Sequence, residues 1–197
     1  PLLISADLEY GTTHNIKEGT TAFPRQMGIG ATRNLRDAQS VARVTAAEAK
    51  AMGIHWNFSP VADVNTNPNN PVIGVRSFGE NTELVSKMTS TMVRTYQKNG
   101  IIASAKHFPG HGDTDFDSHL GLSAVTYDRE TLNKVHLPPF QAAIDAGVES
   151  IMTSHVIIKA IDPELPATLS YKVLTGLLRN EMGYDGIIVT DAMDMYA

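Results

Sequence analysis

The sequence contains no cysteine, which excludes disulfides, thiolate nucleophiles and cysteine-based zinc sites, and is compatible with a cytoplasmic, periplasmic or secreted location. Basic residues are few, with 16 Lys and Arg against 21 Asp and Glu and a net charge of -5. This balance offers no basic surface for nucleic acid. No apolar run approaches the roughly 20 residues of a membrane span. A small-molecule partner is therefore favoured.

The 197 residues, of which 42% are hydrophobic, are enough for one buried core, and we expect a single domain over residues 1–197. The chain begins with PLLISAD, which has the pattern of a strand interior, and ends with AMDMYA just after another apolar run. Nothing at the start has the pattern of a signal peptide. We therefore expect both ends to be truncated and the natural N-terminus to be missing.

Five apolar runs share one pattern, in that each ends in a polar or ionisable residue: LLISAD, IHWNFSPVAD, IIASAKH, SIMTSH and GIIVTD. Apolar runs with little alternation are typical of strands buried on both faces, as in parallel sheets. Helical patterns lie between these runs, over residues 37–52, 82–99, 130–146 and 170–182. Each helical pattern is followed at once by a glycine, at Gly53, Gly100, Gly147 and Gly183, where a left-handed C-terminal cap is expected. The chain is predicted to repeat a β-loop-α unit.

The repeat is compatible with two α/β architectures, an open doubly wound sheet and a (β/α)8 TIM barrel. Five strands are too few for a complete barrel, which usually needs about 250 residues. However, the first strand is followed by DLEYGTTHN, which is not a glycine-rich dinucleotide-binding turn. In either architecture, the long loops that follow the strands are where functional residues gather.

The loop KHFPGHGDTDFDSH, residues 106–119, concentrates ionisable residues that no packed core requires. Asp113, Asp115 and Asp117 have the first spacings of a calcium loop, but Ser118 and Ala124 stand where that loop needs Gly and Glu. A metal-dependent hydrolase remains an alternative, since the loop is rich in histidine and aspartate ligands. Its proline and glycines exclude the helix of an HExxH zinc site.

The third interpretation of the loop is proton transfer. Asp117 stands two residues before His119, and a carboxylate beside an imidazole fixes its tautomer and raises its pKa. His119 is thus a candidate acid and base. Asp191 ends the last apolar run, and a carboxylate held at a strand end is a candidate nucleophile. Together these groups could cleave a glycosidic bond.

Three long segments now indicate a family. KHFPGHGDTDFDSH, NFSPVADVNTNPNNPVIGVRSFGE and GIIVTDAMDM closely resemble the family 3 glycoside hydrolases, and in particular their bacterial β-N-acetylglucosaminidase branch, which trims cell-wall muropeptides in peptidoglycan recycling. The resemblance extends over nearly the whole chain. It implies a (β/α)8 TIM barrel, here a partial barrel of about five parallel strands.

The resemblance also implies roles for particular residues. Asp191 matches the nucleophile of the family, and Asp117 with His119 matches the acid/base dyad of the acetylglucosaminidase branch. The residues that match or neighbour the sugar-binding set are Asp7, Arg76, Lys106, His107, His155 and Asp63. No cofactor and no metal are implied. For Asp63, bracing of a loop is an equally good interpretation.

One departure concerns the segment after the first strand. Members of this branch usually read D-x-E-G-G-R there, whereas this chain has Asp7 to Thr12 as DLEYGT, with no arginine before Arg25. The expected activity is retaining, exo-acting removal of terminal β-N-acetylglucosamine through a glycosyl-aspartate. The alternatives are a β-glucosidase or glycoside phosphorylase on the same scaffold, a metal-dependent hydrolase, or a fragment that folds poorly by itself.

Overall fold

A computed structural model describes residues 2–114 and 123–195. Its main sheet has five strands, all parallel, in the spatial order β1-β2-β3-β5-β7. These strands are β1 Ser5–Ala6, β2 Trp56–Asn57, β3 Ile102–Phe108, β5 Ser150–Thr153 and β7 Ile187–Thr190. A smaller parallel pair joins β4 Ser123–Val125 to β6 Val156–Ile158.

The strand order of the main sheet follows the chain without reversal. A doubly wound sheet would reverse direction at a switch point, whereas a barrel adds each strand beside the last. The prediction of five parallel strands is therefore confirmed, and their order favours the barrel. The small pair β4 and β6 was not predicted.

Helices connect the strands: α1 Gln26–Ala31, α2 Leu35–Ala51, α3 Thr82–Lys98, α4 Arg129–Thr131, α5 Pro138–Asp145 and α6 Lys172–Glu181, of which α6 is a π-helix. The side chain of Asn34 accepts a hydrogen bond from the Arg36 amide, so α2 begins earlier than predicted. All four predicted capping glycines have positive φ, between 69° at Gly183 and 78° at Gly147.

The helix predicted over residues 130–146 is wrong in its continuity. It is divided into α4, a π-helical turn at Leu132–His136, and α5. Pro138 and Pro139 begin α5, and since proline lacks an amide N–H, this pair ends one hydrogen-bond ladder and suits the first turn of the next.

The predicted strand over residues 54–63 is also interrupted. It pairs regularly only at β2, and then Val61 forms an isolated bridge with Lys106 of β3. The amide of Lys106 donates to the Pro60 carbonyl, and that of Ala62 donates to the Lys106 carbonyl. Pro60 has no N–H to contribute, so the run follows β3 without a continuous ladder.

Helices α2, α3 and α5 bury their apolar faces in the same core as the strands of the sheet. Small residues of α2, including Ala42 and Ala46, and large ones of α3, including Met92, are inaccessible to solvent. The Phe108 and Phe140 rings meet edge to face with centroids 5.3 Å apart. Among the described residues, no helix has the length and apolarity to cross a bilayer. Polar residues follow the carboxyl ends of the strands, as Asp7 does after β1 and Asp191 after β7.

Candidate active site

A cavity of about 480 Å³ lies where the strands of the main sheet end. It is lined by residues at the ends of four of these strands or on the loops that follow them: Asp7, Glu9, His14, Asn15, Arg25, Val72, Arg76, Lys106, His107, His111, Asp191, Ala192, Asp194 and Met195. The cavity thus brings together residues as far apart in sequence as Asp7 and Asp191.

Asp191 follows β7 and presents a side chain that is 26% exposed. Its Oδ1 accepts a hydrogen bond of 2.8 Å from the Ala192 amide, and its Oδ2 lies 3.8 Å from His107 Nε2. Burial acts to raise the pKa of Asp191, but the basic groups of His107, Lys106 and His155 and the Ala192 amide outweigh burial and lower it. Asp191 is therefore an anion at neutral pH.

Lys106, which also lines the cavity, joins two carboxylates. Its buried Nζ lies 2.6 Å from Asp7 Oδ1 and 2.9 Å from Glu9 Oε1. The Asp7 side chain is 49% exposed, whereas that of Glu9 is 4% exposed. Asp7 consequently offers oxygens to the cavity, while Glu9 serves as an internal counterion.

Glu9 also binds Arg76 with both oxygens, at 3.1 Å from Nε and 2.7 Å from Nη2. This bidentate pairing fixes the plane of the guanidinium. Burial acts to raise the pKa of Glu9, but Lys106 and Arg76 lower it far below its ordinary value. Glu9 was not predicted as a site residue, although it matches the glutamate of the D-x-E-G-G-R segment of the family, which was the signal that could have found it.

Asp63 is completely buried and accepts hydrogen bonds from His107 and His111. Its Oδ2 accepts from the His107 amide at 3.1 Å and faces His107 Nδ1 at 2.8 Å, while its Oδ1 accepts from the His111 amide at 2.6 Å. A carboxylate partner requires a proton on His107 Nδ1. Nε2 of the same ring is 3.2 Å from Arg76 Nη2, which can only donate. Asp63 and Arg76 together fix the orientation of the His107 ring.

His111 lines the cavity beside His107, with their ring centroids 6.1 Å apart. Its Nδ1 lies 2.8 Å from the Thr114 hydroxyl. Burial, together with the neighbouring His107, lowers the pKa of His111 to about 4. His111 was not among the predicted sugar-binding residues, whereas the structure places its imidazole in the cavity wall.

His155 stands behind Asp191 and does not line the cavity. Its Nε2 is 3.0 Å from the Ala192 carbonyl, which requires Nε2 to donate, and its Nδ1 is 2.9 Å from the Thr168 hydroxyl. His155 thus holds the residue that follows Asp191. Asp63 likewise braces the cavity wall from behind. Both were predicted near a bound sugar, and both contact residues that line the cavity.

The structure brings five of the predicted residues into the cavity lining: Asp191, Asp7, Arg76, Lys106 and His107. The predicted acid/base pair, Asp117 and His119, lies outside the described residues. Among the residues that are described, no group of three or more histidine, aspartate or glutamate side chains has an arrangement that could hold a metal ion.

The whole chain, residues 1–197, matches the family described as Glycosyl hydrolase family 3 N terminal domain. The chain belongs to this family. The family match, together with the observed strand order, confirms the predicted partial (β/α)8 barrel.

Three similar proteins illustrate the relationship. Beta-hexosaminidase A of Pseudoalteromonas piscicida is 44% identical over 99% of this chain and 35% of its own length. A beta-N-acetylglucosaminidase/beta-glucosidase of Cellulomonas fimi is 36% identical over 99% of this chain and 36% of its own length. The solved structure of a family 3 beta-N-acetylglucosaminidase from Paenibacillus sp. str. FPU-7 is 48% identical with a TM-score of 0.96, covering 99% of this chain and 37% of that one. The chain thus spans about a third of the length of these relatives.

Proposed function

We propose that this chain carries the catalytic centre of a retaining, exo-acting β-N-acetylglucosaminidase. The observation that supports the proposal most strongly is Asp191, an ionised carboxylate at a strand end that faces a cavity lined by Asp7, Lys106 and Arg76. A nucleophile in such an enzyme must be anionic and rigidly held. Relatives named for β-N-acetylglucosaminidase activity support the choice of sugar.

In the first step, a carboxylate oxygen of Asp191 bonds to the anomeric carbon while the bond to the leaving oxygen breaks. His119, as the proposed acid, gives its proton to that oxygen, and Asp117 holds its imidazole. In the second step, His119 takes a proton from water, whose oxygen displaces Asp191 from the anomeric carbon. Two displacements retain the configuration of the sugar.

The cavity wall has groups suited to hold the sugar during both steps. The half-exposed oxygens of Asp7 accept from hydroxyl groups, whereas Lys106 and Arg76 donate to sugar oxygens from fixed positions. Their ion pairs exist before substrate binds, so little reorganisation accompanies the reaction. His107 and His111 extend this wall with further polar groups.

Trapping of the intermediate tests the proposal. We expect a 2-fluoro glycosyl donor to label the 197-residue chain at Asp191, as mapped by mass spectrometry of peptides. Asp191→Asn should abolish labelling and lower kcat/KM by about 10³-fold or more. Asp185→Asn, at an exposed aspartate that does not line the cavity, is the matched control. A label on another residue would refute the role of Asp191.

The acid/base role of His119 has a separate test. A general acid typically contributes about 10² to 10⁴ in rate, and this help matters most when the leaving group is poor. His119→Ala should therefore slow glycosides with poor leaving groups far more than activated aryl glycosides. Equal losses on both would exclude His119 as the acid.

The second candidate is a β-glucosidase, because the Cellulomonas relative is named for both activities. Comparing aryl N-acetyl-β-glucosaminide with aryl β-glucoside distinguishes the two. Product analysis in phosphate buffer distinguishes hydrolysis from phosphorolysis, which would give sugar 1-phosphate. A place in peptidoglycan recycling stays a prediction.

A further inference from the structure

Three residues of the loop between β1 and α1 form a stack at the cavity that the proposed mechanism does not use. The Tyr10 ring stacks on His14 with centroids 4.5 Å apart, and the guanidinium carbon of Arg25 lies 4.2 Å from the centroid of the same ring. His14 and Arg25 both line the cavity. We call this group, Tyr10, His14 and Arg25, the Tyr10 stack.

The loop that carries the Tyr10 stack is fastened to α2 by Glu48. One oxygen of this carboxylate accepts from the Thr12 hydroxyl, and the other accepts from both the amide and the hydroxyl of Thr21, at 3.0 and 2.6 Å. The single side chain therefore connects the outgoing and returning halves of the loop. Asn15 adds a hydrogen bond of 2.8 Å to the Asp7 carbonyl.

A second set of contacts fixes the end of the loop beside Arg25. The buried Gln26 side chain donates to the Val61 carbonyl at 3.0 Å and accepts from the Val61 amide at 3.1 Å. Phe23 packs against Gly11 so closely that an added Cβ would lie 2.8 Å from Phe23 Cδ2. Arg25 is consequently held on a constrained segment.

Charge pairing separates Arg25 from the other cations of the cavity. Lys106 and Arg76 are each bound to Glu9, and Lys106 is also bound to Asp7. Within residues 2–114 and 123–195, no carboxylate forms an ion pair with Arg25 and no hydrogen bond engages its guanidinium. A guanidinium that lies over a ring keeps its N–H donors, which point outward in its own plane.

His14 adds no positive charge to this corner and does not compete with Arg25 for an anion. Burial lowers the pKa of His14, and Arg25 and Lys106 contribute to the shift while Glu9 and Asp7 oppose it. The imidazole is therefore neutral at pH 7 and adds no charge of its own. The positive charge of the Tyr10 stack is therefore that of Arg25.

We propose that the Tyr10 stack is an oxyanion subsite, in which Arg25 binds a carboxylate or phosphate group with its N–H fork. Carboxylate and phosphate are the oxyanions that this fork matches, two parallel hydrogen bonds at a time. The anion has two sources: a carboxylate on the leaving group of the substrate, or inorganic phosphate as the acceptor. The inference rests on the proposed glycosidase function, because it assigns a ligand class to the same cavity.

The first arm of the test compares two glycosides that differ in charge. The substrates are the 4-carboxyphenyl and 4-carbamoylphenyl N-acetyl-β-glucosaminides, which have leaving groups of similar size. We expect the wild type to favour the carboxylate in kcat/KM by about tenfold, the effect of one charge-assisted hydrogen bond. Arg25→Gln should remove this preference and Arg25→Lys should keep part of it. Arg36→Gln, at an exposed arginine of α2, is the control.

The second arm adds inorganic phosphate to the carbamoyl substrate. If phosphate is the anion, one of its oxygens displaces Asp191 from the anomeric carbon, and sugar 1-phosphate accumulates in the wild type but about tenfold less in Arg25→Gln. Either Arg25-dependent result supports the subsite and identifies the source of its anion. Thermal unfolding of each variant confirms that it is folded.

Failure of this inference is distinct from failure of the proposed function. Cleavage of both glycosides in the same ratio by wild type and Arg25→Gln, with no Arg25-dependent sugar phosphate, overturns the oxyanion subsite and leaves the glycosidase standing. Cleavage of neither glycoside, together with no labelling of Asp191 by the fluorinated donor, overturns both.

Discussion

Replacing Asp63 by asparagine would test whether one buried carboxylate organises the histidine side of the cavity. Asparagine has nearly the same shape, so the change removes charge and one acceptor without leaving a hole. The carboxylate receives three hydrogen bonds, from the His107 amide, from His107 Nδ1 and from the His111 amide. Asparagine has one oxygen and therefore satisfies only one side of this arrangement.

The expected loss of stability follows from the more favourable of the two orientations that the asparagine side-chain amide can take. If the oxygen faces His107, the two bonds to that residue survive as neutral hydrogen bonds, while the NH₂ group faces the His111 amide and that bond is lost. Losing a hydrogen bond to a charged group costs about 2 kcal/mol, and neutralising each of the other two costs about 1 kcal/mol. We therefore expect Asp63→Asn to lower the free energy of unfolding by about 4 kcal/mol.

The assay is thermal and chemical unfolding followed by circular dichroism. For a chain of this size, about 4 kcal/mol corresponds to a decrease in Tm of about 10 °C. Asp185→Asn, at an exposed position, should change Tm by less than about 2 °C. If Asp63→Asn unfolds within about 1 kcal/mol of the wild type, Asp63 does not carry the organising role that we assign to it.

Three further changes test other contacts. Glu9→Gln should lower the free energy of unfolding by about 3 kcal/mol at pH 7. The difference in unfolding free energy from wild type should shrink below pH 4.5, the ordinary pKa of Glu9, because the unfolded wild type takes up a proton there while folded Glu9 stays ionised. A difference that stays constant down to pH 3 would contradict this. His155→Phe breaks the bond to the Ala192 carbonyl and should lower kcat about tenfold with little change in KM; a change confined to KM would indicate another role. Gly112→Ala places Cβ 1.9 Å from the Val64 carbonyl oxygen and should therefore lower the free energy of equilibrium unfolding by about 3 kcal/mol. A variant as stable as the wild type would contradict this close contact.

Much of the fold follows from local patterns that the sequence displays. Apolar runs with little alternation predict buried parallel strands, and Gly53, Gly100, Gly147 and Gly183 mark the helix ends because only glycine adopts positive φ without strain. The pair β4 and β6 was not predictable from these runs, because it depends on two segments that meet only after folding. Pro138 and Pro139 were visible signals of a helix break, although the helical pattern on both sides obscured them.

The site was predictable where a residue stands at a strand end, as for Asp7, Lys106 and Asp191. The partners of these residues were harder to predict. Glu9 and Asp63 act through buried contacts with residues that are distant in sequence, and no local pattern distinguishes a buried counterion from an exposed acid. Their roles depend on which strands become neighbours.

Sharing one buried acid between Lys106 and Arg76 has a consequence for how an uncharged sugar enters. Both cations already have Glu9 as a permanent anionic neighbour, so an arriving hydroxyl group does not have to pull opposite charges apart. The charged groups of this wall are therefore already paired in the arrangement that the sugar meets.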